Sequence, residues 1–402
     1  MAQDVASASK VAEYVYTPLQ YQDSIRLLTL LPSDSKDAPI VCTICEYPSS
    51  QWKVENLYRA LSYTWGPPTP RMPILVNGCR AWVTPNLYSG LQHLRARNER
   101  TVWWIDAICI NQEDSIEQGN QVTHMREIYE KALFVVAWLG PSADDSDLAM
   151  SYISTHWVWN PETGKEEKFE DEEVSGIDPR LLQAVDALLS RPYWTRVWII
   201  QELTCAALIL FICGNCRVVN LAFDHFFWKH KNLRTTPNRL WWHERTRLLS
   251  VFYFEEVTLD MLVMVSRFAG ATDPKDKVYA LLGLIRSGHG LELKPDYTLS
   301  PCEVYWNAIE TMLKDLKPGC NHYQTVLEVV LASQHCTFQK KDIQTQRHCD
   351  GNHCGSRTIC VNLPFVSLLR DSSEDRIVEL LTSYENEFIK THYGLDSQHR
   401  SR

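Results

Sequence analysis

The sequence predicts an α/β protein: an open, mainly parallel sheet with β-hairpin additions, followed by an α-rich C-terminal portion. Two observations carry this. An almost continuous apolar run, Thr101 to Ile108, precedes a stretch with apolar residues at helical intervals and then a second apolar run, Leu133 to Leu139. Parallel strands require such a crossover, whereas antiparallel ones need only a tight turn. Asn77-Gly78 and Gly214-Asn215 each interrupt a pair of short β-rich runs, and such dipeptides tolerate the positive φ of a tight hairpin.

Taken in order, Asp23 to Leu31 and Ile40 to Glu46 read as two short strands separated by a Pro/Ser/Asp turn. "RALSYTWG", residues 59 to 66, is a third strand that ends in polar and aromatic residues before Gly66 and Pro67. Ile74 to Val76 and Ala81 to Val83 form the first hairpin. Thr84 then caps a helix with Pro85 at its first position and Leu87, Leu91 and Leu94 on one face. Beyond the Thr101 to Ile108 strand comes the polar loop Asn111 to Asp114. Ser115 and Gln118 have capping-box spacing for a helix carrying Val122, Met125, Ile128, Tyr129 and Ala132.

The stretch from Asn160 to Gly176 is too charged to bury and reads as an exposed insertion. A helix starts near Pro179 and another near Tyr193, the latter carrying "YWTRVWIIQEL". Ala207 to Cys213 and Arg217 to Leu221 make the second hairpin. Helical spacing then dominates, in Arg247 to Phe268, Asp276 to Ile285 and Pro301 to Leu316. Past Leu331 the periodicity decays, which predicts a poorly ordered tail over 332 to 402.

The chain of 402 residues is 45% hydrophobic, enough to fill a sizeable core. Its 40 Lys and Arg against 49 Asp and Glu give a formal charge of −9, which argues against nucleic acid and anionic lipid as partners. No run reaches the roughly 18 apolar residues of a membrane span, and Met1 to Lys10 lacks the pattern of an export signal. Thirteen cysteines, an odd number, fit reduced thiols and a cytoplasmic location better than a disulfide framework.

Ligands of open parallel sheets gather outside the carboxyl ends of the strands. Ser62, Tyr63 and Trp65 end one such strand, Asp106 to Asn111 end another, and Glu202 follows on an apolar helix. A carboxylate at a partly buried place either serves a ligand, pairs with Arg191 or Arg196, or caps a neighbouring loop. Asp106 either positions a ligand or bonds to loop backbone, and Trp65 and Trp104 either stack on a ring or plug the core. Ser62 lacks the GxSxG elbow of a hydrolase nucleophile. Cys42/Cys45 and Cys213/Cys216 have zinc-like internal spacing, but about 170 residues separate the pairs; "HCDGNHC", with His348, Cys349, His353 and Cys354 and with Cys360 as a further candidate, is denser in ligand types, with loose surface thiols as the alternative. No metal is assigned. Phosphate-cradling GxxxxGK[ST], GxGxxG after a strand and HExxH are all absent.

With these residues in view, the chain resembles the fungal heterokaryon incompatibility (HET) domain family. The matching stretches are "YRALSYTWGPP" (58 to 68), "ILVNG" (74 to 78), "VTPNLYSGLQHLR" (83 to 95), "WWIDAICINQED" (103 to 114), "QVTHMREIYEKA" (121 to 132), "VAWLG" (136 to 140), "RPYWTRVWIIQEL" (191 to 203) and "DPKDKVYALLGL" (273 to 284). The resemblance implies a HET domain over 21 to 222 after an N-terminal segment, with a helical portion over 223 to 331 packed on it. It further implies an effector of non-self recognition and regulated cell death, acting through an incompatibility partner or self-assembly.

HET domains are in turn similar to TIR domains, a flavodoxin-like fold. "ALSYTWG" is similar to the first TIR strand and "VWIIQEL" to the TIR helix with tryptophan, three residues and glutamate. This similarity implies NAD as substrate and Glu202 as the catalytic carboxylate, with Ser62, Tyr63, Trp65, Asp106 and Asn111 about the ligand. Ile199 stands where the TIR pattern often has cysteine. A non-catalytic interaction module in the same signalling is the competing expectation.

Overall fold

The computed structural model describes residues 11–53, 58–155, 158–160, 165–167, 178–229, 257–266, 269–286, 288–315, 343–344 and 359–360. The chain divides into two units, Met1–Ser300 and Pro301–Arg402.

One sheet organises the first unit. Its strands are β1 (Ile25–Leu30), β2 (Val41–Tyr47), β3 (Arg59–Tyr63), β4 (Met72–Val76), β5 (Cys79–Val83), β6 (Thr101–Trp104), β7 (Val135–Trp138), and, after the separate pair β8 (Val158–Asn160) and β9 (Lys165–Glu167), β10 (Ile209–Cys213) and β11 (Cys216–Val219). Across the sheet they run β11-β10-β7-β3-β6-β1-β2-β4-β5. Pairing is parallel through β10-β7-β3-β6 and again at β2-β4, and antiparallel at β6-β1-β2 and at both hairpins. The α/β class with hairpin additions is thus present, with its parallel strands at the centre of a mixed sheet.

The helices of this unit are α1 (Ser49–Trp52), α2 (Pro85–Leu94), α3 (Asp106–Cys109), α4 (Ser115–Lys131), α5 (Ser146–Ser154), α6 (Pro179–Leu189), α7 (Trp198–Cys205), α8 (Asn220–Lys229), α9 (Leu259–Ser266) and α10 (Asp276–Leu282). The second unit contains α11 (Pro301–Asp315) and the short parallel pair β12 (Ile343–Gln344) and β13 (Ile359–Cys360).

Local chemistry explains most boundaries. Asn77 and Gly78 take φ of 52° and 80°, as the β4-β5 hairpin needs. Thr84 Oγ1 accepts from Leu87 N at 3.4 Å and Pro85 opens α2, while Leu87 and Leu91 are buried. The crossover from β6 through α4 to β7 passes over β3, which pairs with both strands.

Three boundaries differ from expectation. The run from Thr101 stops being a strand at Trp104, because Asp106 accepts from Ala107 N at 2.7 Å and turns the chain into α3. Asp114, not Ser115, caps α4, its Oδ1 accepting from Ile116 N and Glu117 N at 3.0 and 3.1 Å. The helix expected from Tyr193 begins at Trp198, preceded by a 3-10 turn over Pro192–Thr195.

Against β7 and β10, α5, α6 and α8 enclose a core in which Phe211 and Phe223 lie 4.4 Å apart and Trp194 sits 5.6 Å from Phe211. The α4 helix brings Tyr129 edge-on to Trp104 at 5.6 Å, and α7 packs against α4 and β3. A buried ion pair ties β1 to α4: Arg26 Nη2 donates to Glu117 Oε2 at 2.9 Å, and Glu117 Oε1 also accepts from Asn111 N at 2.7 Å. Much of the insertion near 160–176, the stretch Arg247 to Glu256 and most of the tail fall outside the described residues.

Candidate functional site

The carboxyl ends of β3 and β6 lie side by side because the two strands are parallel neighbours. Backbone then leaves β3 through Gly66, whose φ of +73° suits glycine. Thr64 O is held by Asn86 Nδ2 of α2 at 2.5 Å. On the far side, Val197 N donates to Gly270 O at 2.8 Å, which lays the 269–276 segment against the turn before α7. The chain leaving β3 and β6, one face of α4, the turn before α7 and the 269–276 segment bound a cleft of about 570 Å³.

Glu202 reaches the cleft from α7 and is 2% exposed. Ser62, wholly buried, donates to Glu202 Oε2, and its Oγ lies 2.7 Å from the Tyr193 hydroxyl. Arg196 Nη1 stands 3.7 Å from the same carboxylate oxygen. That nitrogen is out of contact with solvent and makes no hydrogen bond among the described residues. Burial pushes the Glu202 pKa up to about 7, with Asp106 adding to the rise; Arg196 and the Ser62 hydroxyl oppose it. The carboxyl therefore sits where it can hold or release a proton near neutrality.

Asp106 Oδ2 accepts from Trp65 Nε1 at 2.9 Å, so the indole forms a wall of the cleft while staying partly exposed. Burial also raises the Asp106 carboxyl above its ordinary range. Tyr63 lies in the core beside Asp106. Ser62, Trp65, Asp106 and Glu202 are thus brought together from three separate stretches of chain, and Tyr63 backs them. Asn111 is placed differently: its side chain accepts from Glu113 N at 3.3 Å within its own loop, and it does not line the cleft. Trp104 is wholly buried and belongs to the core.

Sequence reasoning did not single out the opposite wall. Asp276, at the start of α10, accepts from the Tyr297 hydroxyl at 2.6 Å. Burial raises its pKa to about 6, against the Tyr297 and Trp198 hydrogen bonds. "DPKDKVY" carried the signal in its two aspartates, but no spacing rule connects them to a helix some 70 residues earlier.

Among the described residues the two cysteine pairs do not come together, since β7, β3, β6 and β1 lie between β10 and β2. Cys42 is buried and Cys45 exposed on the same strand, while Cys213 and Cys216 face each other across β10-β11. Among the described residues no group of three or more His, Cys, Asp or Glu could hold a metal ion. His348 to Cys354 lie outside the described residues.

With this geometry established, comparison with known proteins is decisive about kinship. Residues 58–202, the segment that supplies Ser62, Trp65, Asp106 and Glu202, match the family described as heterokaryon incompatibility protein (HET). The chain belongs to the HET family. It is also similar to the heterokaryon incompatibility protein 6, OR allele, of Neurospora crassa, with 30% identity over 362 residues. That alignment covers 74% of this HET chain and 52% of the Neurospora protein, so the chain spans about half the length of its relative. No solved structure matches. Among the described residues no helix is long and apolar enough to cross a membrane.

Proposed function

We propose that this HET chain is an effector of fungal non-self recognition and regulated cell death, and that its cleft cleaves the bond between nicotinamide and ribose in NAD. The observation that carries the reading is the Ser62–Glu202–Arg196 cluster opening on a 570 Å³ cleft, a size suited to a nucleotide-like molecule. The name of the Neurospora relative and the similarity of "ALSYTWG" and "VWIIQEL" to TIR motifs support it.

In this reaction the C1′–N bond breaks and its electron pair goes to the ring nitrogen, leaving neutral nicotinamide. Positive charge develops on the sugar carbon, where the ionised Glu202 carboxylate stabilises it. Water then adds to C1′ and gives up a proton. Ser62 orients the carboxylate, Arg196 limits its proton affinity, and Trp65 offers a face for the leaving ring. Asp106 holds that indole through its N–H.

Glu202 is 2% exposed and already faces Arg196, which favours a second reading. In it the carboxylate braces the cleft and the exposed Trp65 contacts a protein partner or another copy. Purified protein at high concentration, incubated with NAD and assayed for nicotinamide, separates the two. The enzymatic reading expects release by the wild type and none by folded Glu202→Gln. Unchanged cell killing by that variant would establish the interaction reading instead.

A further inference from the structure

A second concavity, about 290 Å³, lies apart from the cleft, between the loop after β1, the C-terminal end of α2 and the β10-β11 turn. Lys36, Arg95, Arg97 and Arg217 line it, together with His93, against the single carboxylate of Asp34. This concentration of positive charge is unexpected in a chain of net charge −9.

The arrangement has an anchored base and free arms. Arg95 is 9% exposed, and its guanidinium donates to the carbonyls of Ala38, Pro39, Ser35 and Lys36 at 2.8 to 3.0 Å. All four acceptors are neutral, so no carboxylate offsets the buried charge. Lys36, Arg97 and Arg217 are exposed, and none makes an ion pair among the described residues. His93 Nδ1 faces Ser89 O at 2.8 Å, which leaves Nε2 unengaged by that bond. The α2 C-terminus accounts for a cation in its own last turn. It does not account for Lys36 and Arg217, which come from other segments.

From this geometry we propose that the concavity binds a compact polyanion, specifically the diphosphate or polyphosphate group of a small soluble molecule. Guanidinium groups from separate segments suit such a group because each can donate a pair of parallel N–H bonds to phosphate oxygens. The volume is that of a small-molecule subsite, and concavity favours a free molecule over a bilayer. This assignment does not depend on the reaction proposed for the cleft.

Inorganic pyrophosphate titrated into the full chain by calorimetry at low salt tests it. The expected result is saturable binding that weakens as salt rises, with affinity falling at least about tenfold in Arg97→Glu/Arg217→Glu, since each lost charge-assisted contact is worth about a factor of ten or more. Both positions are exposed, so the fold should be retained, and circular dichroism checks this. Glu202→Gln should bind pyrophosphate as the wild type does, which separates this site from the cleft. Absence of wild-type binding up to about 10 mM ligand, tenfold above a millimolar dissociation constant, or equal binding by wild type and double variant, would overturn the proposal. Co-sedimentation with vesicles containing a phosphorylated inositol lipid, without pyrophosphate binding, would also overturn it by placing the anion on a membrane.

Discussion

Ser62 and Glu202, 140 positions apart in the chain, share a hydrogen bond in the interior, with the serine hydroxyl as donor and the carboxylate as acceptor. The strand β3 and the helix α7 are thereby locked at the floor of the cleft. Burial of that carboxyl also ties folding to its protonation, which can be measured without knowing the substrate.

Glu202 has its folded pKa raised to about 7 from 4.5. The folded state therefore holds a proton that the unfolded state has released between those values. The stabilising contribution is complete below about pH 4.5 and disappears as pH rises through about 7. Asp276, raised to about 6, acts in the same direction. Thermal melts should show stability declining from about pH 5 to about pH 8, and Glu202→Gln should flatten much of that decline. An unaltered slope in Glu202→Gln would show that the carboxyl does not titrate in this range.

Arg196→Met removes the cation 3.7 Å from the Glu202 carboxylate. Uncompensated charge then remains buried at high pH, and the loss should be about 3 kcal/mol. At low pH the carboxyl is neutral and the loss should be much smaller. Denaturant titrations at two pH values measure the difference, and adding Glu202→Gln to Arg196→Met should abolish it.

Arg26 and Glu117 form another buried pair, with Glu117 also holding Asn111 N. Replacing Arg26 alone by Met should cost about 3–5 kcal/mol, because it leaves the carboxylate unpaired. The double change Arg26→Met/Glu117→Leu should recover a large part of that loss in urea unfolding.

Two turn glycines offer an internal comparison. Gly214 has φ +55°, and a Cβ placed there would lie 2.9 Å from Ser142 N and Cβ. Gly78 has φ +80° and open space around it. Alanine at Gly78 should cost about 1 kcal/mol, the backbone penalty alone, whereas alanine at Gly214 should cost roughly 2–3 kcal/mol or more. Equal melting temperatures for the two variants would contradict this ordering.

Turn dipeptides made both hairpins legible, and apolar runs on either side of a helical stretch did the same for the central parallel strands, because these patterns are set by local geometry and burial on both faces. The partners of Ser62 and Asp106 could be anticipated only as far as strand order places strand ends together. Asn111 looked equivalent to Asp106 in sequence, yet its amide is used by its own turn. The Asp276 wall was hidden because a bridge between residues 196 and 270 brings it in, and no periodicity encodes that contact. Tyr193 failed as a helix start because Pro192 opens a 3-10 turn first.

The order of the sheet carries a practical warning. The family match covers 58–202, but β1 pairs with β6 from before that segment, and β10 pairs with β7 from after it. Trimming a recombinant polypeptide to those limits would strip away neighbours on both flanks, β2 beside β4 among them, and bare the hydrogen-bonding edges of β6, β7 and β4 to solvent, an invitation to aggregate. Anyone expressing this protein in pieces should keep residues 20 to 300 together.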